Sequence, residues 1–309
     1  MTNLQETISF QDRVAIVTGG GNGLGRSYCL ALAARGAKVV VNDVGVSVAG
    51  DGHSSETAVA VVDEIRALGG QAIAATADVT DADAVAGMVA SATKAFGRVD
   101  ILITSAGIIR DKSFGKMSLD QFDLVANVDI RGAAYCARAA WPVMKEQGYG
   151  RIVLTTSGSA LFGNFGQANY AAGKLGVIGL MNVLKLEGMR NDIRINAIAP
   201  AALTRMSDAY MPDALKPLLG PERVAALALY LASTDAPSGN IISAGGGYYG
   251  RVQIMEGGGV ALRDPTPEDI RDAWSAIADM SAARSYRDLA EEQEYVTECV
   301  CAVAGQSDD

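Results

Sequence analysis

The stretch Val14-Ala15-Ile16-Val17-Thr18-Gly19-Gly20-Gly21-Asn22-Gly23-Leu24-Gly25-Arg26 decides the fold. Its first residues are an apolar, β-branched run of the kind that fills a buried strand. The glycines that follow punctuate it with a tight turn. Arg26 to Arg35 then reads as helix and stops at Gly36, and Val39-Val40-Val41 is a second buried strand that ends at Asp43. Strand, glycine turn, helix and strand in about thirty residues make a βαβ unit. Backbone N–H groups at such a helix start bind a diphosphate, and glycine lets it approach closely. Gly19, Asn22, Gly23, Leu24 and Gly25 are therefore candidate nucleotide contacts. Asp43 lies 43 − 25 = 18 residues after Gly25. A carboxylate there accepts hydrogen bonds from an adenosine ribose and repels a 2′-phosphate, which favours NAD over NADP. The plainer readings are a flexible turn and a carboxylate that merely starts a loop.

The alternation continues outward. Helical periodicity covers Ser55 to Leu68, Asp81 to Phe96, Leu119 to Lys145 and Gln167 to Arg190, with Pro142 expected to kink or end the third. Strand patterns fall at Ala72 to Ala75, Val99 to Thr104, Arg151 to Thr156 and Ile193 to Ile198. Such alternation predicts an α/β, Rossmann-type, doubly wound parallel sheet with helices on both faces. Pro200, Pro212 and Pro217 interrupt the rhythm over residues 200–220, the place for a substrate-covering lid. Pro221 to Ala232 reads as helix, Ile241 to Ser243 as a last strand and Pro267 to Ala278 as a surface helix. Residues 1–255 are expected to form one dinucleotide-binding domain with the catalytic site and lid. Residues 256–309 are expected to be an extension without a core of their own.

The chain has 309 residues, a formal net charge of −9 and one histidine. No basic cluster points to nucleic acid. One histidine leaves no His-rich metal site, and no metal is expected. A Ser-His-Asp triad would need His53, which stands in a Gly/Ser-rich loop. No apolar run is long enough to span a membrane. Met1 to Gln11 lacks a signal-peptide core, and the tail Gly305 to Asp309 carries no Ser-Lys-Leu address. Cys29, Cys136, Cys299 and Cys301 show no disulfide or metal spacing, so a reducing cytoplasm is the expected compartment.

Ser157, Tyr170 and Lys174 stand as Ser-x12-Tyr-x3-Lys. Tyr170 and Lys174 are one helical turn apart and share a face. An ammonium beside a phenol stabilises the phenolate, so Lys174 is expected to lower the Tyr170 pKa from its ordinary value of about 10. Tyr170 then takes a proton from an alcohol near neutral pH. Ser157 follows a strand, at the carboxyl edge where ligands bind in open α/β sheets, and its hydroxyl is placed to hold the substrate oxygen. An ordinary surface Tyr/Lys pair is the plainer alternative.

These residues, with Asp78-Val79 and Asn196-Ala197-Ile198-Ala199-Pro200, resemble the short-chain dehydrogenase/reductase family over roughly residues 12–250. The resemblance implies that Asp78, with Val79, contacts the adenine and that Ala106 and Gly107 line the cofactor cleft. It further implies that Pro200 and Thr204 adjoin the nicotinamide end and that Tyr170 and Lys174 also contact the cofactor. Val41-Asn42-Asp43-Val44-Gly45, Gly107-Ile108-Ile109-Arg110-Asp111-Lys112-Ser113-Phe114 and Gly163-Asn164-Phe165-Gly166-Gln167-Ala168-Asn169-Tyr170 are similar to the (3R)-hydroxyacyl-CoA dehydrogenase branch of that family. Two departures stand out. Thr104-Ser105-Ala106-Gly107 replaces the family's Asn-Asn-Ala-Gly, and Asp129 stands where the family carries a catalytic Asn that supports a proton relay. Asp129 is thus a candidate relay member, or a helix-side carboxylate paired with Arg131 or another neighbour. The activity implied is NAD-dependent oxidation of a secondary alcohol, a (3R)-hydroxyacyl-CoA (fatty acyl or steroid side-chain) going to the 3-ketoacyl-CoA. The alternatives are a 17β-hydroxysteroid dehydrogenase and a 3-ketoacyl reductase running in the opposite direction. Met206, Tyr210, Met211, Leu215, Leu218 and Leu219 in the lid suit an acyl chain and a sterol equally. The expected partners are this small-molecule acyl-CoA or steroid and, through the two long helices, further copies of the chain in a homodimer or homotetramer.

Overall fold

A computed structural model describes residues 7–208 and 211–304. Lid residue Tyr210 and the tail from Gly305 lie outside the described residues, as do Met1 to Glu6. Strands β1 (Val14–Thr18), β2 (Lys38–Asn42), β3 (Gln71–Ala75), β4 (Ile101–Thr104), β5 (Gly150–Thr155), β6 (Ile193–Pro200), β7 (Ile241–Gly245) and β8 (Tyr248–Val252) form one sheet in the order 3-2-1-4-5-6-7-8. β1 to β7 pair in parallel, with Thr18 level with Asn42 on one side and Thr104 on the other. The order reverses between β1 and β4, and the crevice at their carboxyl ends is where such sheets bind ligands. Parallel strands need covering on both faces, and β1, β4 and most of β5 are buried throughout.

The covering helices are α1 (Gly23–Ala33), α2 (Glu56–Ala67), α3 (Ala82–Phe96), α4 (Leu119–Ala126), α5 (Gly132–Gln147), α6 (Gly158–Phe162), α7 (Ala168–Gly188) and α8 (Pro221–Ala232). α3 begins where the Asp81 carboxylate accepts from the N–H groups of Asp83 and Ala84, and it stops at Gly97, φ 83°. α4 begins with a capping box between Ser118 and Gln121.

The expected helix from Leu119 to Lys145 is two helices joined by a π-helical turn, Asn127–Arg131. Pro142 does not end α5, which runs on to Gln147. Pro142 and Arg138 are both exposed, so the Arg138 carbonyl that loses its helical partner faces solvent. The segment after β6 is closed at its base, where Leu203 N donates to Leu219 O at 2.6 Å.

The chain divides into two compact units, the first ending at Arg251 and the second beginning at Val252. The second contains α9 (Pro267–Asp272), α10 (Trp274–Ile277) and α11 (Leu289–Ala304). The single helix expected from Pro267 to Ala278 is thus two short ones. Within this unit Arg284 stacks 3.6 Å over the Tyr295 ring, whose hydroxyl donates to Gly258 O at 2.8 Å.

Candidate active site

The glycine turn opens α1 at Gly23, and two of its residues need the left-handed region, Gly19 at φ 65° and Gly23 at φ 50°. Gly25 is required for space. A Cβ there would lie 2.0 Å from Gly19 O. Asn22 Nδ2 is buried without a hydrogen-bond partner at this turn. Asp43 follows β2 directly, and its Oδ2 accepts from Gly21 N at 2.9 Å while Oδ1 accepts from Gly45 N at 2.7 Å. The Asp43 carboxylate and the glycine turn are therefore tied to each other. Thr204 leans over the turn, since a Cβ on Gly23 would come within 3.1 Å of its Cγ2.

Asn42 at the end of β2 positions the Asp78-Val79 segment. Its side-chain amide donates to Ala77 O at 3.0 Å and accepts from Ala77 N at 2.8 Å, pinning the segment that carries Asp78 and Val79. Asp78 is exposed and accepts from Thr80 N and Oγ1. Val79 is buried against Gly132, where a Cβ would come within 2.7 Å of it. Ala106 N donates to Thr18 Oγ1 at 3.3 Å, and Ser105 N to Thr18 O at 3.1 Å, so Thr18 holds the turn after β4 despite the missing asparagines. Pro200 closes β6, level with Ala244 of β7. The orphaned Asn22 amide, the close-approach glycines and the tethered Asp43 carboxylate fit a dinucleotide lying along this edge.

Ser157 caps α6 at the carboxyl end of β5 and accepts from Ser159 N at 3.2 Å. Tyr170 and Lys174 lie on the first turns of α7, with Lys174 Nζ 5.7 Å from the Tyr170 ring centre. Thr156 Oγ1 donates to Lys174 O at 2.7 Å and locks α7 to the strand end. The buried Asn169 was not foreseen in a positioning role. Its Nδ2 donates to Arg110 O at 3.1 Å and Gln121 O at 3.3 Å, and its Oδ1 accepts from Tyr170 N at 2.8 Å.

Asp129 points inward from the π-helical turn and pairs with Lys174, Oδ1 to Nζ 3.1 Å, both side chains being almost fully buried. Neither Asp129 oxygen receives a hydrogen bond of good geometry, so the contact is an ion pair. Gly173 makes room for it, since a Cβ there would lie 2.9 Å from Asp129 Cβ. Arg131 turns away to Asn127 Oδ1 and Tyr135 Oη, so it is not the partner of Asp129. A cavity of about one water's volume, lined by Thr18, Thr104, Asp129 and Lys174 among others, lies beside the pair. Among the described residues no group of three His, Cys, Asp or Glu side chains is placed to hold a metal.

Burial pushes the Asp129 carboxyl up to about 6, against the opposing pull of Lys174. Lys174 is disfavoured as a cation by burial, but Asp129 and Tyr170 outweigh this and hold it above its ordinary value. The expected lowering of Tyr170 is reversed in the protein alone. Burial raises the phenol, Lys174 lowers it, Asp129 raises it again, and a hydrogen bond with Ser157 lowers it. Burial is the main cause, and the inward Asp129 carboxylate adds to it by opposing the lysine's field.

A glycine turn and a tethered carboxylate that fit a dinucleotide, with Ser157, Tyr170 and Lys174 at the same sheet edge, fit an oxidoreductase of the Rossmann class. The family model described as short chain dehydrogenase matches residues 13–214, and the chain belongs to that family. It is an NAD-dependent oxidoreductase. It is 44% identical over 94% of its length to the peroxisomal multifunctional enzyme type 2 of Drosophila melanogaster, of which it covers 49%. The structure of that full-length enzyme superposes with a TM-score of 0.81 at 37% identity, covering 96% of this chain and 51% of the other. The chain thus spans about half of that relative. A putative short-chain type dehydrogenase/reductase of Mycobacterium tuberculosis is 44% identical over 89% of this chain and 96% of its own. A 7α-hydroxysteroid dehydrogenase complexed with NADH and a 7-oxo bile acid superposes with a TM-score of 0.70 at 30% identity, covering 77% of this chain and 95% of the other.

Proposed function

We propose that this chain oxidises the secondary alcohol of a (3R)-hydroxyacyl-CoA to the 3-ketoacyl-CoA with NAD. The observation that carries the chemistry is the buried Asp129–Lys174 pair held at 3.1 Å beside Tyr170, on the same sheet edge as the tethered Asp43. The substrate class is supported by the likeness to the multifunctional enzyme over nearly the whole chain. The alcohol oxygen is held between the Ser157 hydroxyl and Tyr170. Tyr170, as phenolate, accepts the alcohol proton. Lys174 stabilises the phenolate charge, and Asp129 fixes the position of Nζ as the relay member beneath it. When bound, NAD supplies the hydride acceptor and a positive ring that, like Lys174, favours the Tyr170 phenolate. Gly19, Asn22, Gly23, Leu24 and Gly25 hold the diphosphate and Asp43 the ribose. Asp78 and Val79 adjoin the adenine, and Ala106, Gly107, Pro200 and Thr204 line the nicotinamide half.

A second reading keeps this chemistry with a 17β-hydroxysteroid, supported by the hydroxysteroid dehydrogenase likeness and the apolar lid. Ketone reduction is the reverse of the same reaction, and Asp43 favours the oxidative cofactor. A profile over (3R)- and (3S)-hydroxyacyl-CoA and 17β-hydroxysteroid, with NAD and NADP side by side, separates these. NADH formation from the (3R)-thioester is expected. Activity on the steroid alone, or on neither, overturns the acyl-CoA assignment. No described helix is long and apolar enough to cross a membrane. The cytoplasm is our reading of the free cysteines, although the similar Drosophila enzyme is named peroxisomal, and cell fractionation decides. A homodimer or homotetramer is our reading of the long helical stretches that form α4 with α5, and α7, and the mass in solution tests it.

A further inference from the structure

Arg110 lies on the segment that leaves β4, and its guanidinium reaches the loop between β2 and α2. Nε donates to Ala49 O at 2.8 Å, and Nη2 pairs with Asp51 Oδ1 at 3.1 Å. Next to it Ile109 N donates to Val48 O at 3.1 Å. Gly50, at φ 91°, rests on Ile108, whose Cδ1 would be 3.1 Å from a Cβ. The loop is closed at its base by Ser54 N donating to Val44 O at 2.9 Å. Its first anchor is Asp43, which accepts from Gly45 N. In the other direction, the Arg110 carbonyl accepts from Asn169 Nδ2, and Asn169 Oδ1 accepts from Tyr170 N. Two further bonds tie the same segment to the approach of α7. Gln167 Nε2 donates to Asp111 Oδ2 at 2.9 Å, and Lys112 N donates to Gly166 O at 2.8 Å.

We propose that Arg110 is a positioning residue for the dinucleotide. It latches the loop that begins at the ribose carboxylate Asp43 onto the segment that seats Tyr170, so the cofactor-binding wall and the catalytic tyrosine are held in one frame. The inference rests on the reading of Asp43 as the ribose ligand. Arginine suits the task because its rigid planar fork serves a carbonyl and a carboxylate together, whereas a lysine ammonium serves as a point charge. The latch spans 110 − 51 = 59 residues of chain, so without it the loop keeps its base contacts, the Val48–Ile109 bond and the Gly50–Ile108 contact, and loses the guanidinium that fixes Ala49 and Asp51.

The test is NADH titration by fluorescence on the full chain, with thermal melting alongside. Arg110→Met is expected to raise the NADH Kd about tenfold, equivalent to about 1.4 kcal/mol. Asp51→Asn is expected to raise it about two- to threefold, because the Asp51 side chain is 73% exposed and such pairs contribute little. The double variant should bind no worse than Arg110→Met alone, the non-additivity expected of two ends of one contact. Arg110→Lys should fall between wild type and Arg110→Met. Lower melting temperatures with Kd unchanged in both single variants would mean a merely structural contact and overturn the latch. If Arg110→Met does not fold, Asp51→Asn, on an exposed loop, carries the test, and an unchanged Kd there overturns it. Wild-type protein that binds no NADH would overturn the ribose reading of Asp43, and the latch with it.

Discussion

Asp129→Asn keeps the shape of a buried side chain and removes its charge. Oδ1 lies 3.1 Å from Lys174 Nζ, and two unit charges at that separation attract by about 5 kcal/mol at an effective dielectric of about 20. That is a gross figure, because burial opposes both charges and the asparagine carbonyl dipole still faces the ammonium. The direction is set by the site. The Asp129 charge raises both Lys174 and Tyr170, so its removal lowers both. In alcohol oxidation the acid limb of the pH profile follows Tyr170 losing its proton, and the alkaline limb follows Lys174 losing its own. Both limbs of log kcat/KM should therefore move toward acid by on the order of one pH unit. The assay is initial-rate NADH formation from the (3R)-thioester over the pH range in which wild type and variant stay folded. Limbs that stay in place, or an acid limb that moves alkaline, would refute the reasoning, since the carboxylate would then not oppose the lysine's field on Tyr170.

Gly25→Ala should weaken NADH binding by more than about tenfold, because the new methyl carbon meets the Gly19 carbonyl at 2.0 Å; a titration that matches wild type contradicts the turn's role. Asp43→Ser should raise the ratio of NADP to NAD kcat/KM by about tenfold or more, as the repulsion of a 2′-phosphate is lost, and steady-state kinetics with both cofactors checks it. Burial holds the folded Asp129 carboxyl up at about 6 against an ordinary 3.8. The folded chain therefore binds this proton more tightly than the unfolded chain, and stability from this group falls as pH rises through that window. Urea unfolding should show wild type losing up to about 3 kcal/mol relative to Asp129→Asn between about pH 4 and pH 6, and a difference that grows with pH would contradict the raised carboxyl.

The βαβ start and the parallel sheet were legible because each rests on local patterns, apolar runs and glycine punctuation, and the one-turn spacing of Tyr170 and Lys174 correctly put both on one helix. The π-helical turn at Asn127–Arg131 was not legible. Helical periodicity through Leu119 to Lys145 looks continuous, and the extra residue is accommodated by tertiary packing that brings Asp129 against Gly173 and Lys174. Pro142 does not end its helix, since a proline on a solvent face leaves the orphaned Arg138 carbonyl to water. The net direction of Tyr170 followed from its burial, with the hidden carboxylate adding to it. Spacing along α7 announces the lysine, but the charge that opposes it comes from another element. The short strand Tyr248–Val252, helix α6 and helix α11 were also missed. The first two are only five residues long, below the reach of periodicity, and α11 carries four acidic residues amid its apolar ones. Asn42, Asn169 and Arg110 hold the site through bonds between residues distant in sequence, which no local pattern displays.

The most direct measurement of the central claim compares wild type with Tyr170→Phe, following NADH production from NAD and a (3R)-hydroxyacyl-CoA beside NADH affinity by titration. The account predicts that loss of the phenolic oxygen lowers kcat by about a hundredfold or more while the NADH Kd stays within about twofold, because the ring remains packed in the site. Turnover that survives in Tyr170→Phe would contradict proton transfer by this residue.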